Sequence, residues 1–459
     1  MDREGQELFK AALGIVHEFL ATSQDRQNKV VDFKQPAELL ALMDLSLRQE
    51  GATNAEVLEL CTKALHYSVH TAHPRMFNTL FSGIDMVGLS GTLMTSAANT
   101  SVYTYEMAPV FNLMEKEVLQ TMRELIGWSA GSGIFSPGGS VSNMYGLMAA
   151  RYRRFPDSKT KGCAHLPQLK IFTSCQAHYS VDKVAILMGL GTDNVVKVKC
   201  DHMYWAQQVR LCWQHLIPLD KMADICQAHN VWLHVDGSYG GSCLMSKTHR
   251  HLCKGIEKAD SVAWNPHKGL HVPFQCSAFL TRHEDILRSM LSLRASYLFQ
   301  KDKLLYDVSL DTGDMSLQCG RVNDAFKIWL MWKKNGLAWA GREIDRQLGL
   351  ANYLRDRIRE RDGFELVVQD QQYTNVCFWY TPPCLRGVAE SDDRKQRLNK
   401  VAPKLKAGMV LAGSMMICYQ PLGDLPNFMR MVTVSTSATE DDMEFILNEL
   451  ERIGACIQV

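Results

Sequence analysis

"SVAWNPHKGL", residues 261–270, runs an apolar strand straight into a histidine and a lysine. Ser261, Val262, Ala263 and Trp264 read as the strand, and Asn265, Pro266, His267 and Lys268 follow at its carboxyl end. Similar runs stand on either side: "LKIFTS" (169–174), "NVVKVKC" (194–200), "VWLHVD" (231–236) and "CSAFLT" (276–281). Several are almost continuously apolar, as expected for a sheet covered on both faces. Helix-like segments lie between them, so the pattern predicts an α/β fold with a mostly parallel central sheet.

Further out, the pattern changes twice. Residues 1–68 carry helical-period apolar positions in "AELLALMDLSLRQ" and "NAEVLELCTKALHYSV", which predict a helical N-terminal segment. The large α/β domain then covers 69–332, and 333–459 reads as a small α+β C-terminal domain. That last part has a long amphipathic helix ending near Gly363, and the strands "FELVVQ", "TNVCFWY", "SMMICYQ" and "FMRMVTVS". Its final helix opens with a capping-box pattern at Thr439 and Asp442.

Composition excludes several functions. The 459 residues carry a formal net charge of +1, which points to neither a nucleic-acid nor an anionic-membrane partner. No apolar run reaches the length of a membrane-spanning helix. The 14 cysteines show no paired metal-ligand spacing, so no metal is expected; in a long chain without an export signal they read as reduced cytoplasmic thiols.

Ligands of open α/β sheets sit at the carboxyl ends of the strands, and four polar features fall there. Gly138, Gly139 and Ser140 precede a helix in "FSPGGSVSNMYGLMAARY"; His178 follows a strand in "FTSCQAHYS". Asp236 ends "VWLHVD", and Lys268 follows "SVAW". Singly, each has an ordinary reading: a turn, a polar helix-start residue, a turn carboxylate, a solvated lysine. As an ordered set they match the needs of a pyridoxal phosphate enzyme. The phosphate needs a helix N-terminus, the pyridine nitrogen a carboxylate, the aldehyde a lysine, and the ring face a flat partner. A dehydrogenase reading has little support, because the glycine pattern "GLGTDN" precedes a strand instead of following one.

"NPHK", "HVDGSYGG", "SPGGSVSNMY", "NTSVYTYEMAPVF", "YLFQ…YDVSLDTGD" and "TNVCFWY" together resemble the group II pyridoxal phosphate-dependent amino acid decarboxylases. Within them the chain looks like the acidic amino acid branch, which includes the cysteine sulfinic acid and glutamate decarboxylases. The resemblance implies the fold-type I architecture of pyridoxal phosphate-dependent transferases and a homodimer. It matches Lys268 to the Schiff-base lysine, Asp236 to the partner of the pyridinium nitrogen, and His178 to the stacked imidazole. Gly139 and Ser140 match the phosphate cradle, with Asn265 and His267 beside it. Arg430 matches an arginine that binds a substrate carboxylate, and Tyr306 a loop tyrosine that returns a proton to the substrate carbon. Thr79, Phe81 and Ser101 fall in the substrate pocket. The ring of Phe81 would shorten that pocket, favouring cysteine sulfinate (to hypotaurine, the route to taurine) or aspartate (to β-alanine). "GIFSPGGSVSNMYGLMAARYRRFP" looks closer to glutamate decarboxylase, which keeps glutamate (to GABA) as an alternative.

The chain departs from the pattern in places. It is shorter than the family between Cys200 and Ile217, carries Gly237 and Tyr239 where alanine and tryptophan are usual, and has an extra residue before Tyr306. A catalytically impaired, dimerising homologue is therefore the second expectation.

Overall fold

The computed structural model describes residues 2–78, 81, 83–199, 218–300, 304–369 and 373–459. Contacts divide the chain into two units, one formed by residues 84–348 and the other by 1–83 with 349–459.

The 84–348 unit carries six strands among its described residues: β1 (Ser132–Phe135), β2 (Ile171–Ser174), β3 (Val195–Val198), β4 (His234–Gly237), β5 (Ser261–Trp264) and β6 (Ala278–Thr281). Strands β1, β6, β5 and β4 form one sheet in that order, and β2 pairs with β3 in parallel. The opening stretch is a strand over the four residues expected, and every residue of β5 and β6 is buried. That burial explains their unbroken apolar runs. Strands β1, β4 and β5 run in one direction, as the pattern predicts, and β6 alone runs against them. β4 and β5 are parallel, with Asp236 opposite Ala263, but β6 is antiparallel to both β5 and β1. The reason lies in the link from β5 to β6, whose only helix is the single turn Pro266–Gly269. A parallel return needs a longer crossover, usually helical.

This topology has a consequence for the site. Because β1 and β5 both oppose β6, and β4 is parallel to β5, the carboxyl ends of β1, β4 and β5 share one edge. The turn to Gly139, the residues after Asp236 and the Asn265–Lys268 segment all leave from it. The helix Gly139–Arg154 lies close on this sheet. Tyr145 stacks on Phe279 at 5.5 Å, and a Cβ on Gly146 would come within 2.4 Å of the His234 ring.

The other unit is built on an antiparallel sheet of β7 (Phe364–Leu366), β8 (Asn375–Tyr380), β9 (Cys418–Leu422) and β10 (Leu425–Val432), in the order β7-β8-β10-β9. Helices Val401–Ala412 and Glu440–Gly454 bury Leu405, Met409, Ile446 and Leu450 in its core. Thr439 and Asp442 form the expected capping box. Asp442 is only 1% exposed and accepts from Arg26 Nε at 2.9 Å and Nη2 at 2.7 Å. Backbone bonds from Val30 to Gly413 (2.7 Å) and Phe77 to Met416 (2.9 Å) tie the N-terminal segment to this unit as well. The expected helix over "AELLALMDLSLRQ" is limited to Pro36–Leu42.

Candidate functional site

The turn after β1 is shaped by glycine. Gly138 has φ +95°, a conformation that favours glycine, and caps the helix Gly139–Arg154. A Cβ on Gly139 would stand 2.6 Å from Ser238 Oγ and 2.8 Å from Asn265 Nδ2. Residues from three strand ends therefore converge on the first turn of this helix. Asn265 is 2% exposed and accepts from Ser277 Oγ at 2.6 Å, which fixes its amide. Ser140, next along the helix, is exposed.

Asp236 is positioned from both sides. Its Oδ1 accepts from Ser238 N at 3.0 Å, and its Oδ2 from Asn143 Nδ2 at 3.0 Å. Asn143 also donates to Ser180 Oγ at 3.0 Å, and Ser180 Oγ lies 2.7 Å from His178 Nδ1. Asp236 and His178, 58 positions apart in sequence by their numbers, are thus joined through one buried amide. The chain continues inward. His234 Nε2 is 3.0 Å from Asn143 Oδ1, His234 Nδ1 is 2.8 Å from Ser261 Oγ, and Trp232 Nε1 donates to that oxygen at 2.9 Å. Since Asn143 Oδ1 only accepts, this network places the His234 proton on Nε2. Burial pushes the His234 pKa down to about 4, consistent with a neutral ring.

Lys268 follows Asn265 in the one-turn helix, its backbone N–H bonded to Asn265 O at 3.0 Å, and is half-buried. Its neighbour His267 is 3% exposed, with Nδ1 against the backbone of Cys276. Burial, joined by the Lys268 charge, pushes the His267 pKa down to about 4, so this ring adds no positive charge beside the lysine near neutral pH. The segment beyond Lys268 is pinned: Gln347 Nε2 donates to Gly269 O at 2.9 Å, and His271 Nε2 meets Glu343 Oε1 at 2.7 Å.

Tyr306 donates to Asp311 Oδ1 at 3.0 Å, and its ring lies 4.9 Å from that of Tyr105. Ser101 Oγ accepts from Arg321 N at 2.9 Å, beside the buried pair of Arg321 and Glu115. Phe81 and Arg430 belong to the other unit; Arg430 lies on β10 opposite Cys377 and Cys418. Thr79 and the shortened segment from Cys200 to Ile217 lie outside the described residues. Sequence reasoning passed over Asn143, Ser180, His234 and Ser238. All four fall within stretches that carry their neighbours' signals, and only the hydrogen bonds single them out.

A phosphate-bearing cofactor fits these residues on two observations. The Gly139 turn has no room for a side chain, and Ser238 Oγ is buried there without a hydrogen-bond partner among the described residues. The pyridoxal-dependent decarboxylase conserved domain matches residues 36–212 and 217–381. The chain belongs to the pyridoxal-dependent decarboxylase family. As a member it is a carboxy-lyase whose cofactor is pyridoxal phosphate. The break in the match falls inside the shortened segment.

The decarboxylase chain is 48% identical to the cysteine sulfinic acid decarboxylase of Homo sapiens over 97% of its own length and 96% of the relative's. It is 48% identical to the Mus musculus enzyme of that name over 96% and 94%. The crystal structure of mouse CSAD superposes with a TM-score of 0.93 at 45% identity, covering 98% of this chain and 99% of that one. A tryptophan decarboxylase from Catharanthus roseus, at 18% identity and a TM-score of 0.83 over 99% and 98%, shares the fold. These neighbours place the decarboxylase in fold-type I. Among the described residues, no helix is long and apolar enough to cross a membrane, and no cluster of three or more His, Cys, Asp or Glu could hold a metal ion.

Proposed function

We propose that this decarboxylase acts on cysteine sulfinate, releasing carbon dioxide and hypotaurine, and takes aspartate as a second short acid. The observation that carries this reading is the 48% identity to cysteine sulfinic acid decarboxylase over nearly the whole of both chains. When bound, pyridoxal phosphate supplies the aldehyde that takes up the substrate amine and the protonated ring that accepts the electrons left by departing carbon dioxide.

The chain's residues then divide the work. Lys268 would hold the cofactor through its aldehyde. Asp236, held by Ser238 N–H and Asn143, keeps a proton on the ring nitrogen. His178 would hold the face of the ring with its imidazole. Gly139 and Ser140 offer the helix start to the phosphate, with Asn265 and His267 beside them. Arg430 binds an acidic group of the substrate with its guanidinium fork. Phe81 limits the substrate to a short acid. Tyr306 returns a proton to the substrate carbon, after leaving the bond it makes with Asp311. The active form is a cytoplasmic homodimer.

The test is the visible spectrum of the purified protein with added pyridoxal phosphate, before and after Lys268→Ala, followed by carbon dioxide release. A cofactor band lost in the variant, with cysteine sulfinate turned over faster than aspartate or glutamate, is the expected result. Fastest turnover of glutamate would overturn the substrate assignment. A band without turnover would identify an impaired homologue.

A further inference from the structure

Ser238 follows Asp236 by two residues at the end of β4 and is 2% exposed. Its backbone N–H is used, donating to Asp236 Oδ1 at 3.0 Å. Its side chain is not: Ser238 Oγ is a buried oxygen without a hydrogen-bond partner among the described residues. Leaving a buried hydroxyl unmade is costly, and native proteins rarely do so without a ligand or water to complete it.

The direction of the hydroxyl suggests which ligand. Oγ lies 2.6 Å from the position a Cβ on Gly139 would take, and Asn265 Nδ2 lies 2.8 Å from that same position. The hydroxyl, the amide and the first turn of a 16-residue helix thus face one another. An amide donor and a helix N-terminus both favour an anion, and a hydroxyl completes such a set by donating. Asn265 Oδ1 is already engaged by Ser277, which leaves the Nδ2 side of that amide toward the cluster.

Resting on the proposed cofactor site, we propose that Ser238 is a further cofactor-binding residue, its hydroxyl donating a hydrogen bond to the phosphate group of bound pyridoxal phosphate. It works with Gly139 and Asn265, not with the ring nitrogen served by Asp236. Gly139 is thereby explained: a side chain there would occupy the space between Ser238 Oγ and Asn265 Nδ2 that the phosphate shares.

The experiment compares two probes on apoprotein, pyridoxal phosphate and unphosphorylated pyridoxal, by absorbance and tryptophan-fluorescence titration of wild type and Ser238→Ala. The expected result is a roughly tenfold or greater loss of affinity for pyridoxal phosphate, the weight of one hydrogen bond to a charged acceptor, with pyridoxal affinity unchanged. The thermal midpoint of the Ser238→Ala apoprotein should be equal to or above wild type, because the substitution removes an unpartnered hydroxyl. Equal losses for both probes would assign Ser238 to packing and overturn the inference, as would no loss for either. Wild type that binds neither probe would overturn the proposed function with it; wild type that binds, with a phosphate preference unaltered by the substitution, overturns the inference alone.

Discussion

Asn143 is the side chain on which the site's geometry turns. Its amide nitrogen donates to Asp236 and Ser180, and its oxygen accepts from His234, so one residue aligns a carboxylate, a hydroxyl and a partly buried imidazole. Asn143→Ala leaves all three short of a partner and is expected to cost about 2–3 kcal/mol, since buried polar groups left unmade carry their full desolvation penalty. Asn143→Asp should be worse. It keeps the shape but sets a second carboxylate against Asp236 and removes the donor. Thermal midpoints of the two apoproteins check this, and an Asp variant as stable as the Ala variant would sink it. No neighbouring residue in the sequence announces this role: Asn143 lies one turn beyond Gly139, in a helix whose other buried positions pack against the sheet.

The N-terminal segment and the last helix show how distant elements become one body. The sequence changes pattern near residue 68, yet the contacts carry the segment to residue 83 into the unit of 349–459. Asp442, third in the helix Glu440–Gly454, explains much of this. It serves its own capping box and holds Arg26, with Arg75 Nε at 3.4 Å. Burial opposes its charge, but the Arg26 hydrogen bonds win and hold its carboxyl below the usual range. Asp442→Ala should therefore loosen residues far away in sequence. We expect a loss of about 2–3 kcal/mol in urea unfolding, tempered by the partial exposure of Arg26, and faster amide exchange at residues 23–31. Protection there that matches wild type would show that the backbone bond from Val30 to Gly413 holds the segment without the carboxylate.

Over the whole molecule, buried histidines set the response to acid. Burial is the chief reason that His73, His234 and His267 are pushed down to about 4 from an ordinary 6.5. Between those values the unfolded chain binds more protons than the folded one, so stability falls as pH drops from about 6.5 toward 4. Each such group contributes at most about 1.4 kcal/mol per pH unit. A separate loss follows below about 4.5. Burial raises Glu343, yet hydrogen bonds from His271 and Arg346 outweigh it and hold the carboxyl at about 2. Urea midpoints of the apoprotein at pH 7, 6 and 5 should fall at each step; a flat series would show that these rings are protonated in the folded state.

Strand β5 and the residues after it could be read from the sequence because their signals are local. A buried strand must be apolar on both faces, and a polar run after it has to sit at the sheet edge. The same holds for Gly138 and Gly139, whose backbone demands glycine, and for the capping box at Thr439. The order β1-β6-β5-β4 and the reversed direction of β6 are not local properties, since they depend on which strands pair. Asn143, His234 and Ser238 acquire their roles from partners that pairing brings within 3 Å or so of them, as with Asn143 to Asp236 at 3.0 Å. Local sequence thus determined which residue types stand at each strand end, through burial and backbone sterics. Tertiary structure decided which of those ends meet, because a hydrogen bond needs its two atoms within a few tenths of an ångström of contact distance, however far apart they lie along the chain.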